Sequence, residues 1–238
     1  MSMFSVPMQN EDHRAVSGGL ARAAVFGISD GLMTNVSLVL GFAGGGVTAN
    51  VVRLGGMAGA VAGAFSMAAG EWISVSAQNE LVHRELEMER RELAKNPEKE
   101  TLELAAFYES HGMTRDQAIA GATEVMQDPE RALIVHAKEE FGIDPTEMPS
   151  AIGAALMSFV MFLVGALLPV IPWYFADGTG ASVTSITIGV VSAAIVGVAL
   201  GRSTERSLAR TSIRQVVILL LATAATFVIG KALGTQIS

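Results

Sequence analysis

Five apolar stretches mark the chain, at about 20–43, 52–77, 150–174, 181–200 and 213–233, and a polar block from Glu80 to Glu147 parts the second from the third. Met148 to Ala176 and Gly178 to Gly201 carry no charged side chain, and 16 uncharged residues separate Arg214 from Lys231. Ala23 to Val52 holds only Asp30, and Leu54 to Asn79 only Glu71. A membrane span needs roughly 17–25 apolar residues, so the pattern predicts five spans. The last is short, and Arg214 and Lys231 are expected to snorkel to the two interfaces.

The polar block is patterned as well. Leu81, Leu86, Leu93, Leu102, Leu104, Ala105 and Phe107 recur at helical spacings among its charges. Pro97, Gly112 and Gly142 are stop signals, Thr114 with Gln117 reads as a capping box, and Asp128-Pro129 reads as an N-cap followed by proline at the first helical position. Four helices are predicted, at about 80–95, 98–111, 114–127 and 130–141. No Gly or Pro falls between Trp72 and Lys95, so the second span is expected to run on into the first of them. The fold class is an all-α integral membrane protein: residues 1–79 hold an N-terminal segment and spans 1 and 2, residues 80–147 a cytoplasmic acidic helical metal-binding module, and residues 148–238 spans 3 to 5.

Composition agrees. Of 238 residues, 50% are hydrophobic and 16% charged, against about 25% charged in a soluble domain. The net charge is −7, and the block from Glu80 to Glu147, with 17 acids and 8 bases, more than supplies it. That balance disfavours nucleic acid as a partner. Met1 to Gly19 is polar and lacks the apolar core of a secretory signal. There is no cysteine, hence no thiolate ligand. With the N-terminus in the cytoplasm, 14 of the 16 Lys and Arg residues lie inside, Arg53 and Lys231 being the exceptions. The expected topology is therefore N-in, C-out. Arg202, Arg206, Arg210 and Arg214, spaced by four, fit a basic helical stripe that anchors topology and meets anionic lipid.

A carboxylate at bilayer depth costs a few kcal/mol, so it faces the protein interior or a water-filled path. Asp30 lies eight residues past Arg22 and Glu71 about seven before the cytoplasmic exit of its span, placing both roughly 10–12 Å deep on antiparallel neighbours. Met33 and Met67 share their faces. The plain alternative is a methionine-filled core with an acid paired to a base. No basic residue falls at that depth in the sequence, so both acids are expected to be unpaired, and hence protonated or metal-bound. Gly55, Gly59 and Gly63 are read as helix packing.

In the polar block, Glu89 with Glu92 and Glu100 with Glu103 are i, i+3 pairs flanking Pro97, and His136, Glu139 and Glu140 lie within one turn. Carboxylates with at most one imidazole suit Fe²⁺ and Mn²⁺ rather than Cu⁺. A solvated face carrying helical ion pairs such as Glu87–Arg91 is the alternative for any one of them. Eight acids between Glu80 and Glu103 exceed what solubility requires.

Phe26-Gly27-Ile28-Ser29-Asp30-Gly31-Leu32 with Asn35 resembles the first-span motif of the vacuolar iron transporter family. Ala64-Phe65-Ser66-Met67-Ala68-Ala69-Gly70-Glu71-Trp72-Ile73-Ser74-Val75-Ser76 resembles its second span, and Gly165 to Pro169 and Gly201-Arg202-Ser203 its later ones. The resemblance implies a homodimer, five spans per subunit, and proton-coupled export of Fe²⁺, often also Mn²⁺, from the cytosol. It places membrane metal ligands on Asp30, Met67 and Glu71, and module ligands on Glu89, Glu92, Glu100, Glu103 and Glu140. Some relatives carry paired methionines where this chain reads Leu133-Ile134-Val135-His136-Ala137, so either His136 substitutes as a ligand or the metal preference is harder and less iron-specific.

The expectation is a metal/proton antiporter, not an enzyme, with no prosthetic group. Fe²⁺ or Mn²⁺ is the transported ion, Asp30 and Glu71 couple protons, and the lipid bilayer and a second copy are the partners. The compartment expected is a bacterial plasma membrane. The rivals are a membrane-anchored di-iron oxidase or store, and a metal-gated channel. The oxidase wants two Glu-x-x-His motifs, and the chain has one, Glu80 with His83.

Overall fold

The computed structural model describes residues 19–234. The N-terminal reading therefore lies, except for Gly19, outside the described residues. Among those described, the chain forms eight α-helices and no strand: α1 Gly19–Gly44, α2 Ala49–Lys95, α3 Pro97–Ser110, α4 Arg115–Val125, α5 Pro129–Phe141, α6 Ala151–Leu167, α7 Gly178–Ser203 and α8 Leu208–Gly234. Two compact units result. One comprises Met1–Trp72 with Ile152–Ser238, the other Ile73–Ala151. Helix α2 is unbroken for 47 residues and contributes to both, as the absence of Gly and Pro after Trp72 predicts.

In the first unit, α1, α2, α7 and α8 are long and apolar enough to cross a membrane. Their outward faces carry large apolar side chains such as Leu54, Phe65, Ile195 and Leu221, each more than half exposed, the surface a bilayer would cover. The third apolar stretch is shorter than its sequence pattern predicts. Helix α6 ends at Leu167 after 17 residues, followed by a turn and a 3-10 helix at Ile171–Tyr174. Pro169 and Pro172 account for this, because each removes a backbone donor and disfavours helix in the residue before it.

Small residues set the packing. A Cβ on Gly230 would stand 1.9 Å from the carbonyl oxygen of Gly41, so α8 and α1 touch backbone to backbone. The predicted glycine face of α2 is a packing face: Gly55 lies against the ring of Phe42, Gly59 against Leu38 and Gly63 against the ring of Phe162. Asn35 ties three helices together. It is fully buried on α1, and its Nδ2 donates to the carbonyls of Gly56 on α2, at 3.0 Å, and Ala166 on α6.

The predicted basic stripe is broken. Arg202 sits in the last turn of α7, Arg206 in the connecting turn, and Arg210 and Arg214 on α8. Glu205 takes φ 51° in that turn, a left-handed conformation that no helix interior accommodates.

In the second unit the predicted punctuation appears as drawn. Pro97 opens α3 one residue after Asn96 closes the α2 run. The Gln117 side chain accepts from the Thr114 N–H at 3.3 Å, and Asp128 caps α5 by accepting from Glu130 N and Arg131 N. Gly142 ends α5 at φ 64°. Leu104, Ala105, Ala118 and Ala122 form the core of this unit, with Tyr108 and Val135 packed on it.

Candidate metal centre

Three helix segments of the second unit converge on one polar point. The C-terminal half of α2 brings Glu89, the first turn of α3 brings Glu100, and α5 brings His136 and Glu140, one turn apart. The four offer ligand atoms that all lie within 4.8 Å of one another. Burial is deep: Glu89 is 4% exposed, Glu100 1% and His136 0%.

Hydrogen bonding inside the group is incomplete. His136 Nδ1 lies 3.4 Å from Glu140 Oε1, where a hydrogen bond forms, and 3.2 Å from Glu89 Oε1. The second approach lacks hydrogen-bond direction, so Glu89 Oε1 has no partner; Glu100 Oε2 and His136 Nε2 have none either. Buried polar atoms without partners cost about 1–3 kcal/mol each, more when charged. Unpartnered carboxylate oxygens of Glu89 and Glu100, in a group whose ligand atoms lie within 4.8 Å of one another, describe a site shaped for something that accepts lone pairs.

The electrostatics agree. Burial first, and then the carboxylates of Glu140, Glu100, Glu92 and Glu103, push the Glu89 carboxyl up to about 7. Burial likewise raises Glu100, with Glu103 adding to it. A hydrogen bond from Lys99 holds Glu103 below the usual carboxylate range. Lys99 Nζ lies 3.1 Å from Glu103 and 3.4 Å from Glu100, and this bridging cation was not anticipated as part of the site. Its i, i+4 spacing from Glu103 was the available signal. Mutually repelling carboxylates in low dielectric favour either protons or a cation. A donor set of three carboxylates and one imidazole, without sulfur, fits Fe²⁺ or Mn²⁺.

The other acids of the module do not join this group. Glu92 is exposed, Glu103 is held by Lys99, and Glu139 faces Tyr108, whose hydroxyl it helps to raise. His83, of the lone Glu-x-x-His motif, lines a separate cavity with Glu87, Arg90 and Glu130.

In the first unit the expectation for Glu71 needs correction. It is paired: Arg22 Nη2 donates to Glu71 Oε1 at 2.8 Å. Arg22 stands in the first turn of α1, and its long side chain reaches the Glu71 carboxylate on α2. Among the described residues Asp30 has no basic ion-pair partner, and it accepts weakly from Thr34 Oγ1 at 3.5 Å. It lines a cavity of about 770 Å³ together with Arg22, Ser29, Met33 and Arg214. Arg22 thus borders the cavity of one acid while binding the other. Met67 is half-buried and packs on the apolar cluster of Ala60, Ala64 and Phe162.

The model of the VIT family matches residues 21–231, nearly the whole chain. The chain belongs to the VIT family. A vacuolar iron transporter of Acanthamoeba castellanii is 34% identical over 201 residues, covering 80% of this chain and 73% of that protein. Vacuolar iron transporter 1 of Tulipa gesneriana is 26% identical over 225 residues, covering 94% and 91%. The vacuolar iron transporter of Toxoplasma gondii is 28% identical over 206 residues, covering 81% and 67%. Both the span acids and the four-residue group of this VIT-family chain fall within the matched region, and the relatives are named as transporters, not enzymes.

Proposed function

We propose that this VIT-family protein exports Fe²⁺, and also Mn²⁺, from the cytosol in exchange for protons. It does so as a homodimer with five spans per subunit, N-terminus inside and C-terminus outside. Residues 80–147 form the cytoplasmic metal-binding module between membrane segments 1–79 and 148–238. The observation that carries the reading is the buried group of Glu89, Glu100, His136 and Glu140, whose ligand atoms converge and whose Glu89 and Glu100 carboxylates each keep an unpartnered oxygen. The names of the relatives supply the cargo.

In this mechanism the module concentrates the ion, with Glu92, Glu103 and Glu139 around the four-residue group as further carboxylates. Asp30 and Glu71 then take it within the membrane, with Met67 as the softer ligand that disfavours Mg²⁺ and Ca²⁺. Metal and proton compete for the same carboxylate lone pairs, so protonation from the far side releases the ion. Arg22 holds Glu71 as a counter-cation until metal displaces it. Export from the cytosol is the same step whether the far side is a vacuole, as in the names of the relatives, or the outside of a bacterial cell.

The test is Mn²⁺ or Fe²⁺ uptake into liposomes carrying the whole protein. Glu71→Gln is expected to abolish uptake while the protein elutes unchanged on size exclusion. Wild-type uptake by that variant would overturn the scheme. The oxidase rival predicts oxygen-dependent Fe²⁺ turnover by the same preparation, for which the position of His83 offers no second metal-binding half.

A further inference from the structure

The turn between α7 and α8 gathers positive charge that the metal chemistry does not use. Arg206, Arg210 and Arg214 line one cavity of about 580 Å³, with Leu200, Thr204, Ser207 and Thr211 completing it. None of the ion pairs among the described residues involves these three arginines. The packing beneath explains why they face outward. A Cβ on Gly197 would stand 2.4 Å from the Cα of Ser212, and one on Gly201 2.6 Å from Thr211 Oγ1, so α7 and α8 leave no room for a side chain between them. Arg206 N donates to Gly201 O at 2.9 Å, closing the turn and fixing where the arginines begin. Arg210 and Arg214 follow one turn apart on the same face of α8, beside its positively polarised N-terminus.

We propose that this cavity binds the phosphate of an anionic phospholipid headgroup. Guanidinium groups hold phosphate oxygens in paired hydrogen bonds, and the Ser207 hydroxyl, which accepts from Arg210 N, keeps its own proton to donate. A lipid is favoured over free phosphate by position. The cavity lies where two helices of membrane-spanning length meet, α7 and α8. It also shares Leu200, Thr204 and Arg214 with the larger cavity, whose wall includes Val25, Phe26 and Ile218, so an acyl chain finds an apolar surface beside the headgroup site. The inference stands on the arginines and the spans; the larger cavity is the one that Asp30 lines, so an acyl chain there borders the acid that the transport reading uses.

The test uses the whole protein in detergent, with phosphatidylglycerol or phosphatidylcholine titrated in and bound lipid read by native mass spectrometry. An arginine near an anionic surface is worth about fivefold in binding. The triple variant R206Q/R210Q/R214Q is therefore expected to bind phosphatidylglycerol on the order of 100-fold more weakly than wild type, with phosphatidylcholine unchanged. The triple lysine variant keeps the charge and is expected to retain the preference, which separates loss of charge from misfolding. Equal binding of the two lipids by wild type would overturn the proposal, as would full phosphatidylglycerol binding by the triple glutamine variant. Displacement of the lipid by inorganic phosphate at matched concentration would assign the cavity to free phosphate and overturn the lipid assignment.

Discussion

Replacing Glu89 by glutamine removes one carboxylate from the four-residue group while keeping its shape. Glu89 is pushed up to about 7 by burial and by its carboxylate neighbours. At pH 6 it is therefore about one-tenth ionised, and at pH 8 about nine-tenths. A metal ion must displace that proton, so this residue alone makes the apparent affinity rise roughly tenfold between pH 6 and pH 8. Stability without metal runs the other way. The folded state binds this proton more tightly than the unfolded chain, so the contribution of the group is full below about 4.5 and lost as pH rises through about 7. That loss is no more than about 3–4 kcal/mol, and nearer 2 kcal/mol after solvent screening. The assay is Mn²⁺ binding to the whole protein in detergent, read from the electron paramagnetic resonance of free Mn²⁺ at each pH. Wild type should show the tenfold rise, and Glu89→Gln should bind more weakly with that part of the slope gone. A slope unchanged by the substitution would refute both the assigned titration and the role of Glu89 as ligand.

Other outcomes follow from the membrane unit. Arg22→Gln frees Glu71 from a pair worth about 0–1 kcal/mol, so half-saturation for transported metal should fall by up to about fivefold; a rise would show that Arg22 helps to bind the ion. Asn35→Leu breaks two interhelical hydrogen bonds and should destabilise the protein by about 1–3 kcal/mol, seen as earlier thermal unfolding in detergent, with metal affinity of the module unchanged. Gly230→Ala drives a methyl into the Gly41 carbonyl and should cost at least 1–3 kcal/mol by rough measure. Gly70→Ala meets nothing within 4 Å and should be neutral or stabilising by about 1 kcal/mol through helix propensity. Equal melting of these two alanine variants would contradict the packing described.

The helices were largely legible because their stops are local chemistry. Pro97, Asp128-Pro129 and Gly142 act within a turn of where they stand, and each ends or starts a helix within a residue or two of the expected place. The third apolar stretch was over-read because apolarity persists through Pro169 and Pro172 while helical hydrogen bonding does not. The site was legible as a set and not as a geometry. Glu89 and Glu92 are three residues apart and share a helix face, offset by about 60°, so only packing decides that the first is buried and the second exposed. The pairing of Arg22 with Glu71 is not legible from backbone spacing, because an arginine side chain spans more than a helical turn.

The central claim is exchange of metal for protons through the span acids. The most direct measurement places the whole protein in liposomes with a pH-sensitive dye inside and adds Mn²⁺ under an imposed proton gradient. The account predicts that metal enters as protons leave, and that Asp30→Asn abolishes both movements together. Metal entry with no change in the dye, or coupled movement that survives Asp30→Asn, would contradict it.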